Sequence, residues 1–262
     1  RVTDWEQALR WPAIVWMKIF LGVEANDQGD NAWAIATGQW VHRWLAEGAG
    51  QPETNEFVSI PETKEIRASI LQSAREFRAR VEALCATCAR PLPDWWFSGW
   101  SNALYIADSL AAKLSDLTEW SRLASEWKLD SPTNIPLGEN ENLRVRGRID
   151  LVLARGEKTS SGLGFPELWI VDYKTGRQRG FNLRDVRKNE TPAQKFHKQL
   201  VEGRGVQLAL YALAAHALGA ETAHLTLLAT TGEMRSQFRL EDALAQQDFW
   251  RELLGMQKRG GL

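Results

Sequence analysis

A chain of 262 residues that is 44% hydrophobic is long enough for one large domain or two small ones around a sizeable core. Its formal net charge of -1 argues against a uniformly basic nucleic-acid binder, and no run of about eighteen apolar residues marks a membrane span. The start lacks the basic and apolar regions of a secretory signal, which points to a cytoplasmic protein, and lacks an initiating Met, as a segment of a longer protein would.

Thr3-Asp4-Trp5-Glu6 reads as a capping box opening a first helix, which Pro12 interrupts before a second helix runs through Phe20. Asp30 or Asn31 caps the next helix, which carries His42 and ends near Gly48. Trp33, Trp40 and Trp44 recur on it at helical spacing and read as packing onto a sheet. Pro61 begins a long amphipathic helix to about Ala89. Cys85 and Cys88 within it form a lone C-x-x-C without further zinc ligands, so both read as inert thiols. The stretch PLPDWWFSGW is an aromatic connector, and its Trp95, Trp96 and Trp100 either pack or stack bases. A helix from about Ser101 to Trp120 follows, then one strand across residues 121–137 leading into a Pro-containing turn. Glu126 in that strand either supports a nearby site or is simply exposed.

Two short buried strands come next, GRIDLVL from Gly147 to Leu153 and WIVDYKTG from Trp169 to Gly176. Alternation puts Asp172 and Lys174 on one face and Trp169, Val171 and Tyr173 on the other. Paired in matching register, the first strand adds Asp150 to that face. Two carboxylates beside one ammonium in an apolar sheet need compensation, because a buried uncompensated charge costs several kcal/mol. A divalent cation supplies it, and carboxylate oxygens suit Mg²⁺ or Mn²⁺. The Gly- and Ser-rich segment ARGEKTSSGLGFPE between the strands reads as an extended hairpin tip.

A basic segment follows, with Arg177, Arg179, Arg184, Arg187, Lys188, Lys195, Lys198 and Arg204 against Asp185, Glu190 and Glu202. Arg144, Arg146 and Arg148 alternate ahead of Asp150 and read as a basic row along one strand leading to the same place. Both clusters suit phosphate contacts, against the plainer reading of a solvated edge. The helix from Val206 to Leu218 then sets Gln207 and Tyr211 four residues apart on one face. AHLTLLAT and MRSQFRL read as two strands around Thr231-Gly232, and a last helix spans about Glu241 to Gln257. His197, His216 and His224 have no motif partner.

The ordered set of G-x-x-x-H ending at His42, G-R-I-D, V-D-Y-K-T-G and Q-x-x-x-Y resembles the RecB/AddB-type nucleases. These are a branch of the PD-(D/E)xK phosphodiesterase superfamily. The resemblance implies an α/β fold: a restriction-endonuclease-like mixed sheet flanked by helices. It implies one nuclease domain over residues 1–262, with residues 1–120 mainly helical and residues 121–262 forming the catalytic core. By the same resemblance His42, Asp150, Asp172 and the carbonyl of Tyr173 would hold Mg²⁺ or Mn²⁺, and Lys174 would be the catalytic lysine. Gln207 and Tyr211 would position the scissile phosphate or the water. Arg144, Arg146, Arg148, Arg177 and Arg179 would meet DNA, single- or double-stranded, at its ends. Some relatives carry a four-cysteine iron–sulfur cluster; here Trp11-Pro12 stands at the first cysteine's place, so no such cluster is expected. Many relatives are tethered to a helicase, and the chain has no G-x-x-x-x-G-K-[ST] loop, so a motor would be a partner or a fused neighbour. The competing expectation is an inactive, DNA-guiding domain of the same fold.

Overall fold

A computed structural model of the chain describes residue 9 and residues 32–50, 52, 55–114, 117, 119–129, 133–136, 142–156, 164–175, 190–231 and 233–258. The helices expected across residues 3–20 lie, Leu9 apart, outside these residues, as do Asp30, Asn31, Arg177 and Arg179. Helix α1 spans Ala32–Ala49, strand β1 Val58–Ser59, helix α2 Thr63–Thr87 and helix α3 Trp96–Ala112. Strands β2 (Arg122–Lys128), β3 (Thr133–Pro136), β4 (Asn142–Val145), β5 (Arg148–Arg155) and β6 (Glu167–Lys174) follow. Helices α4 (Pro192–Val201) and α5 (Val206–Ala217) lead to β7 (Thr222–Ala229) and β8 (Phe238–Arg239). Helices α6 (Leu240–Leu244) and α7 (Gln247–Lys258) come after them.

The main sheet is 6-stranded and mixed, in the order β1-β2-β5-β6-β7-β8, while β3 and β4 pair separately. Its β6–β7 pair is parallel and the other described pairs are antiparallel. A parallel pair needs a crossover, which α4 and α5 supply. One face packs against α1, α2 and α3, burying Val41, Trp44, Ile66, Ile70, Ala103 and Leu110. The other face packs against α5, α6 and the β3–β4 pair, with Leu208, Ala212, Ile135 and Leu143 in its core. Covered on both faces, β5 and β6 are near-continuous apolar runs rather than alternating ones. Helix α5 is apolar almost all round for the same reason: Val206 and Leu208 through Ala215 are all buried.

Several elements differ from the sequence expectations. The second half of the aromatic connector is helix: α3 begins at Trp96, whose amide bonds the Pro93 carbonyl at 2.9 Å, and its buried face starts with Trp96, Gly99 and Ala103. It ends at Ala112 rather than Trp120. Residues 121–137 form two strands in different sheets rather than one. The expected row of Arg144, Arg146 and Arg148 does not lie on one strand, because the chain leaves β4 after Val145 and enters β5 at Arg148. Helix α4, expected only as a basic segment, is opened by a capping box in which Thr191 Oγ1 accepts from the Gln194 amide at 3.2 Å, with Pro192 in its first turn. MRSQFRL contributes only Phe238–Arg239 to the sheet, and the last helix is broken at Ala245–Gln246 into α6 and α7.

The tryptophans divide. Trp44 is fully buried and Trp40 joins it in a cluster with Phe77, Trp95 and Trp96, whereas Trp33 is exposed. Trp96 is buried and Trp100 bonds the Ala74 carbonyl at 2.9 Å, which leaves Trp95 as the exposed member of that group. Cys85 and Cys88 are free thiols at the end of α2.

Candidate active site

The two motif strands pair in the register that the sequence requires. Leu151 faces Val171 and Val152 faces Ile170, so the next positions along β5 and β6 are Asp150 and Asp172. Asp150 Oδ2 accepts a hydrogen bond from the Tyr173 amide at 2.7 Å, stitching the strand ends together. Asp172 is buried, and its Oδ2 stands 2.5 Å from Lys174 Nζ. Helix α1 brings His42 against this point: its Nδ1 lies 3.2 Å from Asp150 Oδ1, and its ring meets Tyr173 edge-on at 5.9 Å. Gly38, one turn before His42, faces Thr175 so closely that a Cβ there would be 3.2 Å from Thr175 Oγ1. The G-x-x-x-H spacing therefore sets how near α1 approaches the end of β6.

The third carboxylate comes from β2. Its ladder with β5 runs from Arg122↔Ala154 to Ser125↔Leu151 and resumes at Trp127↔Ile149, skipping the rung between Glu126 and Asp150. Glu126 has φ +48°, a left-handed conformation uncommon outside glycine and often found where function over-determines the backbone. Side-chain alternation shifts at the skipped rung. Ile149 belongs to one apolar cluster while Leu151, two residues on, belongs to the other. The strand alternation expected to align Arg148 with Asp150 is thus broken between them. Donor atoms of His42, Glu126 and Asp150 all lie within 4.8 Å of one another. They line a cleft of about 780 Å³ with Gly38, Gln39, Arg43, Arg148 and Thr175.

Electrostatics fit a site prepared for positive charge. Burial opposes a charge on His42, but its hydrogen bond to Asp150 and the fields of Asp150, Asp172 and Glu126 outweigh that and hold its pKa above the usual 6.5. Burial, then the charge of Asp150, pushes the Asp172 carboxyl up to about 6 against the pull of Lys174 and His42. Burial, then Asp150 again, raises the Glu126 carboxyl, while Arg148 and His42 draw it down. A cluster that resists full ionisation by itself is relieved by a cation.

Tyr211 enters from α5. Its hydroxyl donates to the Arg148 carbonyl at 2.7 Å, accepts from the Arg148 amide at 3.3 Å and receives Gln207 Nε2 at 3.0 Å. Burial pushes this phenol up to about 12, so it stays protonated. Gln207 and Tyr211 thus reach the site through the backbone at the start of β5.

The model of the PD-(D/E)XK nuclease superfamily matches residues 17–256, nearly the whole chain. The chain belongs to that superfamily. Comparison with curated proteins and with solved structures returns no match. Its mixed sheet flanked by helices is the architecture expected of a PD-(D/E)XK nuclease. Superfamily members are generally metal-dependent, and a nitrogen with two carboxylate oxygens is a donor set that suits a divalent cation.

The structure brings together His42, Asp150, Asp172, Tyr173 and Lys174, with Gln207 and Tyr211 one residue removed. Arg148 lines the cleft, whereas Arg144 sits on β4, paired across from Asn134, and Arg146 lies in the link to β5. Glu126 is the residue that sequence reasoning leaves undecided. Its signal is a lone acid between buried Ala124, Ser125 and Trp127. No described helix is long and apolar enough to cross a membrane.

Proposed function

We propose that the chain is a divalent-metal-dependent deoxyribonuclease of the RecB/AddB type, acting on DNA ends in repair or recombination as one domain of a helicase–nuclease. The observation that carries this reading is the Asp172–Lys174 ion pair at the end of β6, next to the His42, Glu126 and Asp150 donors, which line an open cleft. His42, Glu126 and Asp150, with Asp172 adjacent, would hold Mg²⁺ or Mn²⁺. When bound, the ion supplies Lewis-acid polarisation of a phosphoryl oxygen and lowers the pKa of a water molecule.

The chain's own groups account for the rest. Lys174 is held by Asp172, with its ammonium partly exposed toward the strand end. There it can offset the charge that develops on the attacked phosphate. The Asp150 carboxylate is oriented by the Tyr173 amide on one oxygen and His42 on the other. Gln207 and Tyr211 hold the backbone that carries Arg148 into the cleft, and Arg144, Arg146, Arg177 and Arg179 would add phosphate contacts. A scaffold domain that only guided DNA would have no need of a buried Asp172 beside Lys174.

Incubation with linear and circular DNA, single- and double-stranded, in Mg²⁺, Mn²⁺ or EDTA tests this. Linear DNA is cut in either metal and spared in EDTA, while circles survive. Cutting of circles would make the enzyme an endonuclease, and no cutting under any condition would leave a DNA-guiding domain.

A further inference from the structure

Arg148 joins the two halves of this site. Its backbone is clamped on both sides by the Tyr211 hydroxyl, which Gln207 fixes in turn. Its side chain reaches the other way, to Glu126 Oε2 at 3.1 Å. Glu126 belongs to the donor cluster, and both residues line the cleft with His42 and Asp150. A guanidinium and a divalent cation on the same carboxylate repel each other at close range, so they compete for Glu126. Arg148 is the partner able to move, since its side chain is 47% exposed and that of Glu126 is 14% exposed. Its planar donor fork also suits a phosphate as well as a carboxylate.

We propose that Arg148 couples cation binding to strand binding: Glu126 holds its guanidinium before a cation binds, and a cation at Glu126 releases it to a phosphate in the same cleft. This rests on the nuclease reading above and names a regulatory step within that site. Because linkage is reciprocal, the cation and the nucleic acid tighten each other's binding through this one side chain. The role of Gln207 and Tyr211 follows from it. By fixing the backbone of Arg148 they keep its side chain where it meets Glu126 and where it can meet a phosphate lying in the cleft.

The test uses the full chain, Mn²⁺ calorimetry without DNA, and binding of a labelled single-stranded oligonucleotide in EDTA. Arg148→Gln is expected to tighten Mn²⁺ by about threefold, the scale of a half-exposed ion pair. Glu126→Gln is expected to tighten metal-free oligonucleotide binding by about threefold, and the double variant to lose that gain. Arg148→Lys, which keeps a charge near Glu126, is expected to leave Mn²⁺ affinity close to that of the unaltered protein. Weaker Mn²⁺ binding in Arg148→Gln would mean that Arg148 orients Glu126 as a ligand, which overturns the proposal. A gain in Glu126→Gln that persists in the double variant would mean plain relief of repulsion and would also overturn it, as would no gain at all. Absence of Mn²⁺ binding in the unaltered protein would instead sink the nuclease reading, while the oligonucleotide measurements in EDTA would still decide whether Glu126 restrains Arg148.

Discussion

Gly147 lies so close to Tyr211 that a Cβ built on it would stand 2.8 Å from both Cε1 and the hydroxyl oxygen. The first residue of G-R-I-D is therefore glycine because an aromatic ring from another element fills the space a side chain would need. Gly147→Ala should force the ring off Arg148 and destabilise the fold by about 1–3 kcal/mol. Thermal unfolding measures this, and an unchanged midpoint would show that the ring moves without cost.

Tyr211→Phe keeps the ring but removes the hydroxyl. Arg148 then loses a partner for both its amide and its carbonyl, at a cost of about 1–3 kcal/mol. Gln207→Ala removes one bond to the same hydroxyl and should cost less. Denaturant unfolding would rank the two. Equal stability in both variants, with oligonucleotide binding alone reduced, would mean that they touch phosphate directly instead.

Stability of the metal-free protein should depend on pH through Asp172. Its folded pKa, about 6, exceeds the ordinary value of 3.8, so between these limits the folded state keeps a proton that the unfolded state has lost. The resulting stabilisation is complete below pH about 4 and is lost as pH rises through about 6. Raised values at His42 and Glu126 act in the same direction. In EDTA, Asp172→Asn should therefore gain on the unaltered protein as pH climbs from 4 to 7. A gap between their melting points that stays constant over that range would contradict the assignment.

Lys174→Ala should lower metal-dependent cleavage by about 10²-fold or more, as removal of a group that stabilises developing charge does elsewhere. Mn²⁺ binding should survive, because Lys174 contributes no ligand. Near-normal cleavage in this variant would remove Lys174 from the chemistry.

Much of the fold is legible in the chain, and the features that are not share a cause. The register of β5 against β6 can be read because two apolar runs leave a single way to bury themselves. The proximity of α1 follows from glycine and histidine at helical spacing. Neither the end of β2 nor the arginine row is read correctly: the chain passes from β2 into a separate two-stranded sheet after Lys128, and leaves β4 after Val145 before β5 begins at Arg148. The skipped rung between Glu126 and Asp150 is equally hidden. A positive φ at a glutamate has no signature in composition or period. Tyr211 packs against Gly147 at the break between β4 and β5, a contact between residues far apart in the chain, which local pattern cannot show. Helix α4 is legible in Thr191-Pro192-Ala193-Gln194, although the charges around it suggest only a basic segment.

In the proposed site His42, Glu126 and Asp150 hold one divalent cation beside Asp172. Calorimetric titration of Mn²⁺ into the unaltered protein, Asp150→Asn, Glu126→Gln and His42→Ala at pH 7.5 tests it most directly, with 7.5 chosen as about one unit above the usual histidine pKa. Binding with proton release is expected in the unaltered protein, weaker binding in Glu126→Gln and His42→Ala, and none in Asp150→Asn. Mn²⁺ bound equally well by Asp150→Asn would place the cation elsewhere and contradict it.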